Sequence, residues 1–202
     1  MQNDDFKTII NHFLKRIPLT PEEQEYVCSL IKIRHLLPRQ YLVQQGEVCR
    51  FESFVVKGFL RSFYVDSKGN DFTLHFAMED WWISDSASFV REIPATRNIV
   101  ALEPTTVLQL DKVSIEMLYR QVPVFERFWR IMNESACLAQ DERILNAIMM
   151  SGAARYEALL SKYPGIEQRL PQRHIASYLG ITPVFLSKIR KVKPAKSAEK
   201  LN

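Results

Sequence analysis

The chain has 202 residues, 47% apolar and 25% charged, with a net charge of +4. This suits one or two globular domains with a real core and excludes a disordered chain. No apolar stretch reaches the ~20 residues of a transmembrane helix. Three cysteines (Cys28, Cys49 and Cys137) are too few for a four-thiolate cluster and too widely spaced for a zinc or disulfide framework.

The N-terminus, MQNDDFKTIINHFLKRIP, is acidic before it is basic and has no continuous apolar core. It reads as an amphipathic helix with Phe6, Ile9, Ile10, Phe13 and Leu14 on one face, and not as a signal peptide. The expected location is therefore the cytoplasm, with no membrane partner. Thr20-Pro21-Glu22-Glu23 has the form of a helix start: a capping hydroxyl, proline in the first turn, then acids. Helix is expected through residue 34.

From 35 to 110 the period changes. Tyr41–Val43, Phe54–Val56, Leu60–Val65, Phe72–Phe76 and Thr105–Leu110 are short and rich in aromatic and β-branched residues. Turn signals separate them, among them Lys57-Gly58, Asp66-Ser67-Lys68-Gly69-Asn70 and Glu103-Pro104. Short strands at this pitch predict an antiparallel barrel or jelly roll. Helix resumes after Asp111. Pro123 opens a run without Pro or Gly until Gly152, in which Val124, Phe128, Ile131, Ser135, Leu138, Glu142, Leu145 and Met149 recur at heptad spacing. Packing on its own barrel would also need an apolar stripe. A helix this long outruns a small barrel, however, so a homodimer seam is expected at Val124, Phe128, Ile131, Ser135, Leu138 and Leu145.

The charge is uneven. From Gln168 to Asn202 there are eight Lys or Arg against one acid, a net +7, while the rest of the chain carries −3. A basic end on a slightly acidic body points to a polyanion partner at that end. Within it lies QRHIASYLGITPVFLSKIRK, residues 172–191. Ile175 and Leu179 stand four apart on an inner face. Ala176 leaves room for a crossing helix, Gly180 permits a left-handed turn, and Ile181 plugs it. Thr182 and Pro183 begin a second helix with Leu186 and Ile189 inward. This is a helix-turn-helix pattern. Phe185 is expected to be buried.

Barrel, long helix and RLPQRHIASYLGITPVFLSKIRK together resemble the cyclic-AMP receptor / fumarate-nitrate regulator (CRP/FNR) family of bacterial transcription regulators. IASYLGITPVFLSKIRK is similar to the form common in Bacteroidetes members. The resemblance implies an α+β chain in three parts. Residues 1–121 would be a cyclic-nucleotide-binding-type sensor barrel with N-terminal helices, and 122–149 the dimerisation helix. Residues 150–202 would form a helix-turn-helix, winged-helix-like domain with wing strands short or absent. The implied function is that of a homodimeric, sequence-specific regulator reading a palindromic double-stranded operator, with RNA polymerase a further partner of an activator.

The second helix would enter the major groove. Thr182 and Pro183 at its start would lie against phosphate. Lys188 would donate to guanine O6 and N7, with Ser187 weaker and Val184 packing on a thymine methyl. Arg173, Arg190, Lys191 and Lys193 would neutralise phosphates. Lys196 and Lys200 read as a solvated tail.

The family's effector pocket typically offers Gly-Glu, then Arg-Ser about eleven residues later. Here Ser84-Asp85 and Ala95-Thr96 stand instead. Without the arginine a buried phosphodiester lacks its partner, so cyclic AMP is not the expected effector and no cofactor is expected. The candidate pocket residues are Ser84, Asp85, Ser86, Thr96 and Arg97, with Phe128 and Trp129 over the base position. Arg97 also reads as a surface residue alternating with Ile99 and Ala101 on a strand. Another small ligand, or a barrel filled by its own side chains, stays open. So does the alternative of a sensor that binds a cyclic nucleotide or other anion without DNA output. His12, His35, His75 and His174 are scattered, and no metal site is expected. No phosphate loop, nucleophile elbow or HExxH occurs, so an enzyme is not expected.

Overall fold

The structure, a computed structural model, describes residues 2–192. Two helices come first, α1 (Gln2–Leu14) and α2 (Pro21–Leu30). Thr20 closes a capping box on α2: its hydroxyl accepts from Glu23 N–H at 3.3 Å, and the Glu23 carboxylate accepts from Thr20 N–H at 2.8 Å. The helix ends earlier than expected. Lys32–Leu36 is already a strand, β1, because it pairs with a later strand and propensity yields to that ladder.

The remaining strands are β2 (Tyr41–Val43), β3 (Phe51–Lys57), β4 (Leu60–Val65), β5 (Asp71–Ala77), β6 (Trp82–Ile83), β7 (Asn98–Ala101) and β8 (Thr105–Asp111). A short helix, α3 (Ser86–Arg91), sits between β6 and β7. The strands form two four-stranded antiparallel sheets, ordered β1-β8-β3-β6 and β2-β7-β4-β5. This is a jelly-roll sandwich. Val55, Leu60, Ile99, Ala101, Val107 and Leu108 are fully buried within the hydrophobic core. Gly58 turns β3 into β4 at φ +105, and a Cβ there would lie 2.6 Å from Thr105 Cα. Only glycine fits that approach.

Sheet β2-β7-β4-β5 carries a polar network that the sequence pattern does not announce. Arg61 is almost fully buried on β4. Its guanidinium donates to both Asp71 oxygens at 2.7 and 3.0 Å and to Thr73 Oγ1 at 2.8 Å. The bidentate geometry offsets the cost of burying the charge.

After β8 come α4 (Lys112–Gln121), α5 (Val124–Met149), α6 (Gly152–Lys162), α7 (Ile166–Arg169), α8 (Gln172–Leu179) and α9 (Pro183–Val192). No strand follows Asp111 among the described residues. The chain divides into two compact units, Met1–Leu138 and Ala139–Asn202. The division falls inside α5, whereas the resemblance implies a separate segment for that helix, 122–149.

Within the first unit, α1 buries Ile9 and Phe13. Phe13 packs edge-on against Phe125 and Phe128 of α5, with ring centroids 5.0 and 4.9 Å apart. Leu14, placed on the same face by the sequence reading, is exposed.

Candidate functional site

The α8–α9 segment is built from local signals. Gly180 adopts φ 65, ψ 35, and its N–H returns to Ala176 and Ser177 carbonyls, closing α8. Thr182 Oγ1 accepts from Phe185 N–H at 3.1 Å, satisfying one open donor at the start of α9. Ile175, Ala176 and Leu179 on α8 and Leu186 on α9 are buried, and Ile189 is half-buried.

The opposite side of α9 faces solvent. Pro183, Val184, Lys188 and Lys191 are exposed, as are Arg173 on α8 and the cap Thr182, while Ser187 is half-buried. These are seven of the nine residues expected at a nucleic-acid surface. Arg190 departs. Its Nε lies 3.0 Å from Glu167 Oε1 of α7, and Tyr156 of α6 donates its hydroxyl to the same carboxylate oxygen. Arg190 therefore ties α9 to α7, because Glu167 offers a fixed anion next to it. Phe185 departs too. It is 45% exposed, one side of its ring lying against Gly152, where a Cβ would come within 3.0 Å. Lys193, Lys196 and Lys200 lie outside the described residues.

The run from Ser84 to Arg97 is closed on itself. Asp85 is fully buried and caps α3. Its carboxylate accepts from Ser88 N–H at 3.2 Å, Thr96 N–H at 3.0 Å and the Thr96 hydroxyl at 3.4 Å. Arg97 Nε stands 3.4 Å from Asp85 Oδ2. That nitrogen makes no directional hydrogen bond, so the contact is one of charge. Arg97 thus precedes β7 and turns toward Asp85, correcting its reading as a surface strand residue. Ser84 donates to Glu52 at 2.8 Å and lies 3.4 Å from the Ser86 hydroxyl. Burial pushes the Glu52 carboxyl up to about 7, against the Ser84 bond, which lowers it.

Phe128 and Trp129 belong to another neighbourhood. Phe128 is fully buried among Phe13, Phe125, Trp82 and His12. Trp129 stacks edge-on against Trp82, with centroids 4.9 Å apart. His12 accepts from Trp82 Nε1 at 3.2 Å. Burial, with nearby Arg16, holds the His12 imidazole down at about 4. Trp129 Nε1 is buried without a partner.

Burial of Phe128 also removes it from a dimer seam. Val124 packs on the same core, and Ile131 is half-buried. The heptad stripe therefore changes partner along α5: its first turns face α1 and the barrel. Ser135 is exposed and donates to Ile131 O at 2.8 Å. Further along, Leu138, Leu145, Ile148 and Met149 are between 59% and 79% exposed. Such a run of uncovered apolar side chains is costly in water.

A separate cavity of about 440 Å³ opens in the first unit among Arg34, Glu47, Cys49, Arg50, Ser53 and Gln109. Gln109 Nε2 donates to Ser53 Oγ at 3.1 Å, and both residues are buried. None of the expected pocket residues lines it.

Residues 33–122 match the cyclic nucleotide-binding domain. The domain has structural neighbours among CRP/FNR regulators. Three solved structures are similar over most of the chain. The catabolite activator protein of Thermus thermophilus shares 20% identity at a TM-score of 0.53, covering 91% of this chain and 88% of that one. FixK2 from Bradyrhizobium japonicum shares 17% at 0.68, covering 80% and 83%. A putative transcriptional regulator of the CRP/FNR family from Eubacterium rectale shares 17% at 0.66, covering 91% and 88%. At such identities the likeness establishes the fold. No curated protein matches the chain. Among the described residues no helix is long and apolar enough to cross a membrane, and no cluster of three metal-ligating side chains occurs.

The residues that sequence reasoning missed are of two kinds. The capping role of Asp85 had a signal, an Asp directly before a short run of helix formers. The partners of Arg97 and Arg190 had none, since they come from other elements.

Proposed function

We propose that this chain is a homodimeric, sequence-specific DNA-binding regulator that reads a palindromic duplex with α9. The observation that carries the reading is the two-sidedness of α9. Its apolar side is buried, and its other side presents Val184, Ser187, Lys188 and Lys191 beyond a capped N-terminus. A helix of this kind suits the major groove, with the cap and first turn near phosphate. The exposed apolar face of α5 from Leu138 to Met149 supports pairing with a second copy. The regulator reading also agrees with the Eubacterium rectale neighbour, a putative transcriptional regulator of the CRP/FNR family.

In this reading cyclic AMP is not the effector. Asp85 already takes the N–H groups of Ser88 and Thr96 and the charge of Arg97, so a ligand phosphate would meet a carboxylate at that place. No cofactor is required, and contact with RNA polymerase is left for an activator.

The test is selection of duplexes from a randomised library by purified protein without added ligand. A two-fold symmetric motif, with affinity falling steeply as salt rises, is the expected result. Binding no more selective than that of any basic peptide would overturn the reading.

One observation favours a second reading, a small-molecule sensor without DNA output. The cavity beside Ser53 and Gln109 places a buried polar pair and two arginines around open space. That reading requires ligand-dependent thermal stabilisation of the barrel and no selected DNA motif.

A further inference from the structure

Helix α9 can read a symmetric site only if its direction is fixed relative to the helix that pairs the two copies. α9 follows α8 after three residues, Gly180 to Thr182, so the anchoring of α8 decides where α9 points. That anchoring is concentrated on the C-terminal end of α8. Carbonyls there have no partner within the helix and carry the negative end of its dipole, which favours a cation.

Two arginines converge on that end. Arg155, in the second turn of α6, donates from Nε and Nη2 to Leu179 O at 3.2 and 3.0 Å. The same guanidinium reaches the end of α5: Nη1 donates to Met150 O at 2.8 Å and Ala147 O at 3.3 Å. One planar, half-buried group therefore joins the C-termini of two helices. Its fork geometry makes this feasible, and a lysine could not reproduce four such bonds. Arg143 of α5 adds a second tie. Its Nη2 donates to Tyr178 O at 3.4 Å, and its guanidinium sits 4.5 Å from the centre of the Tyr178 ring. Packing completes the arrangement, since Gly152 at the start of α6 abuts Ile181 and Phe185.

We infer that Arg155, assisted by Arg143, is a positioning residue for DNA reading: it locks α8, and through the short turn α9, onto the C-terminal end of α5. In a dimer built on α5 this lock sets the separation and angle of the two reading helices. Neither arginine touches DNA in this arrangement. The inference rests on the proposed function and specifies how α9 is aimed.

The experiment compares the full-length parent with Arg155→Met, Arg155→Lys and Arg143→Met. Each protein is titrated against the symmetric duplex selected by the parent, a single half-site, and versions with one base pair added or removed at the centre. Arg155→Met keeps the length and packing of the side chain but no donors. It should bind the half-site within about threefold of the parent, lose about tenfold or more on the symmetric site, and tolerate the altered spacings. Arg155→Lys should fall between, and Arg143→Met should show the smaller loss. Unchanged symmetric-site affinity and spacing preference in Arg155→Met would overturn the inference. Equal loss on half-site and full site would overturn it too, because it would mean only that the folded unit had weakened. If the parent itself selects no symmetric duplex, the proposed function fails before these variants are compared.

Discussion

Replacing Asp85 by alanine tests whether the 84–97 segment holds itself closed. The substitution removes the cap of α3, worth ~1 kcal/mol. It also strands the Thr96 N–H, which Asp85 accepts at 3.0 Å, at ~1–2 kcal/mol for a part-buried donor. Arg97 loses its counter-charge at 3.4 Å. Arg97 is 29% exposed, so water replaces much of that contact and its loss adds at most ~1 kcal/mol. Together Asp85→Ala should cost about 3 kcal/mol. Asp85→Asn keeps one good acceptor and an equally good cap, so it should cost about half as much. Urea unfolding followed by tryptophan fluorescence is the suitable assay. All three tryptophans (Trp81, Trp82 and Trp129) lie in the first unit, so the signal reports that unit alone. A loss below ~1 kcal/mol in Asp85→Ala would refute the claim that this carboxylate is the segment's own anion.

Other expectations follow from the same geometry. His12 is neutral in the folded state down to about 4, whereas an unfolded histidine protonates near 6.5. Stability of the first unit should therefore fall as pH drops through that window, by up to ~3 kcal/mol, and His12→Phe should remove this component. Glu52 acts in the opposite sense: with its carboxyl raised to about 7, its contribution is present at low pH and lost as pH rises from the usual carboxylate range through 7. Glu52→Gln should therefore stabilise by ~1–2 kcal/mol at pH 8 and not at pH 4, measured by the same urea titration. If the proposed dimer forms on α5, Leu145→Glu should convert it to monomer in analytical ultracentrifugation, while thermal stability of the isolated protomer changes by less than ~0.5 kcal/mol, as this side chain is exposed. Lys188→Ala should blur base preference at one position by ~1–3 kcal/mol, and Lys191→Ala should instead lower affinity on every sequence and reduce the salt slope by about one. Arg190→Ala should lower the melting temperature of the second unit and leave the salt slope as it was; a changed slope would return Arg190 to the DNA surface.

Local chemistry was legible in the amino-acid order because its partners lie within a few residues. The Thr20–Glu23 capping box, the left-handed Gly180 and the Thr182 cap all connect groups three or four positions apart. The buried and exposed sides of α8 and α9 follow from helical period alone, which is why Val184, Lys188 and Lys191 are exposed while Ile175, Leu179 and Leu186 are buried. The jelly roll was legible as a class through turn spacing, but β1 was not, since Lys32–Leu36 has no alternation to announce it.

What the tertiary structure decided is which neighbour each side chain meets. Phe128 satisfied the spacing for a seam and for a pocket cover alike, and the arrival of α1 turned it into core. Arg97 and Arg190 lie in stretches that suggest anion contact, yet each found its partner inside the chain, a carboxylate 12 positions away and a glutamate on α7; Arg155, which no motif singles out, found the ends of two helices. A guanidinium is attracted to any negative charge or open carbonyl within reach. Sequence establishes that attraction, and only folding brings one of the candidates close enough to win it.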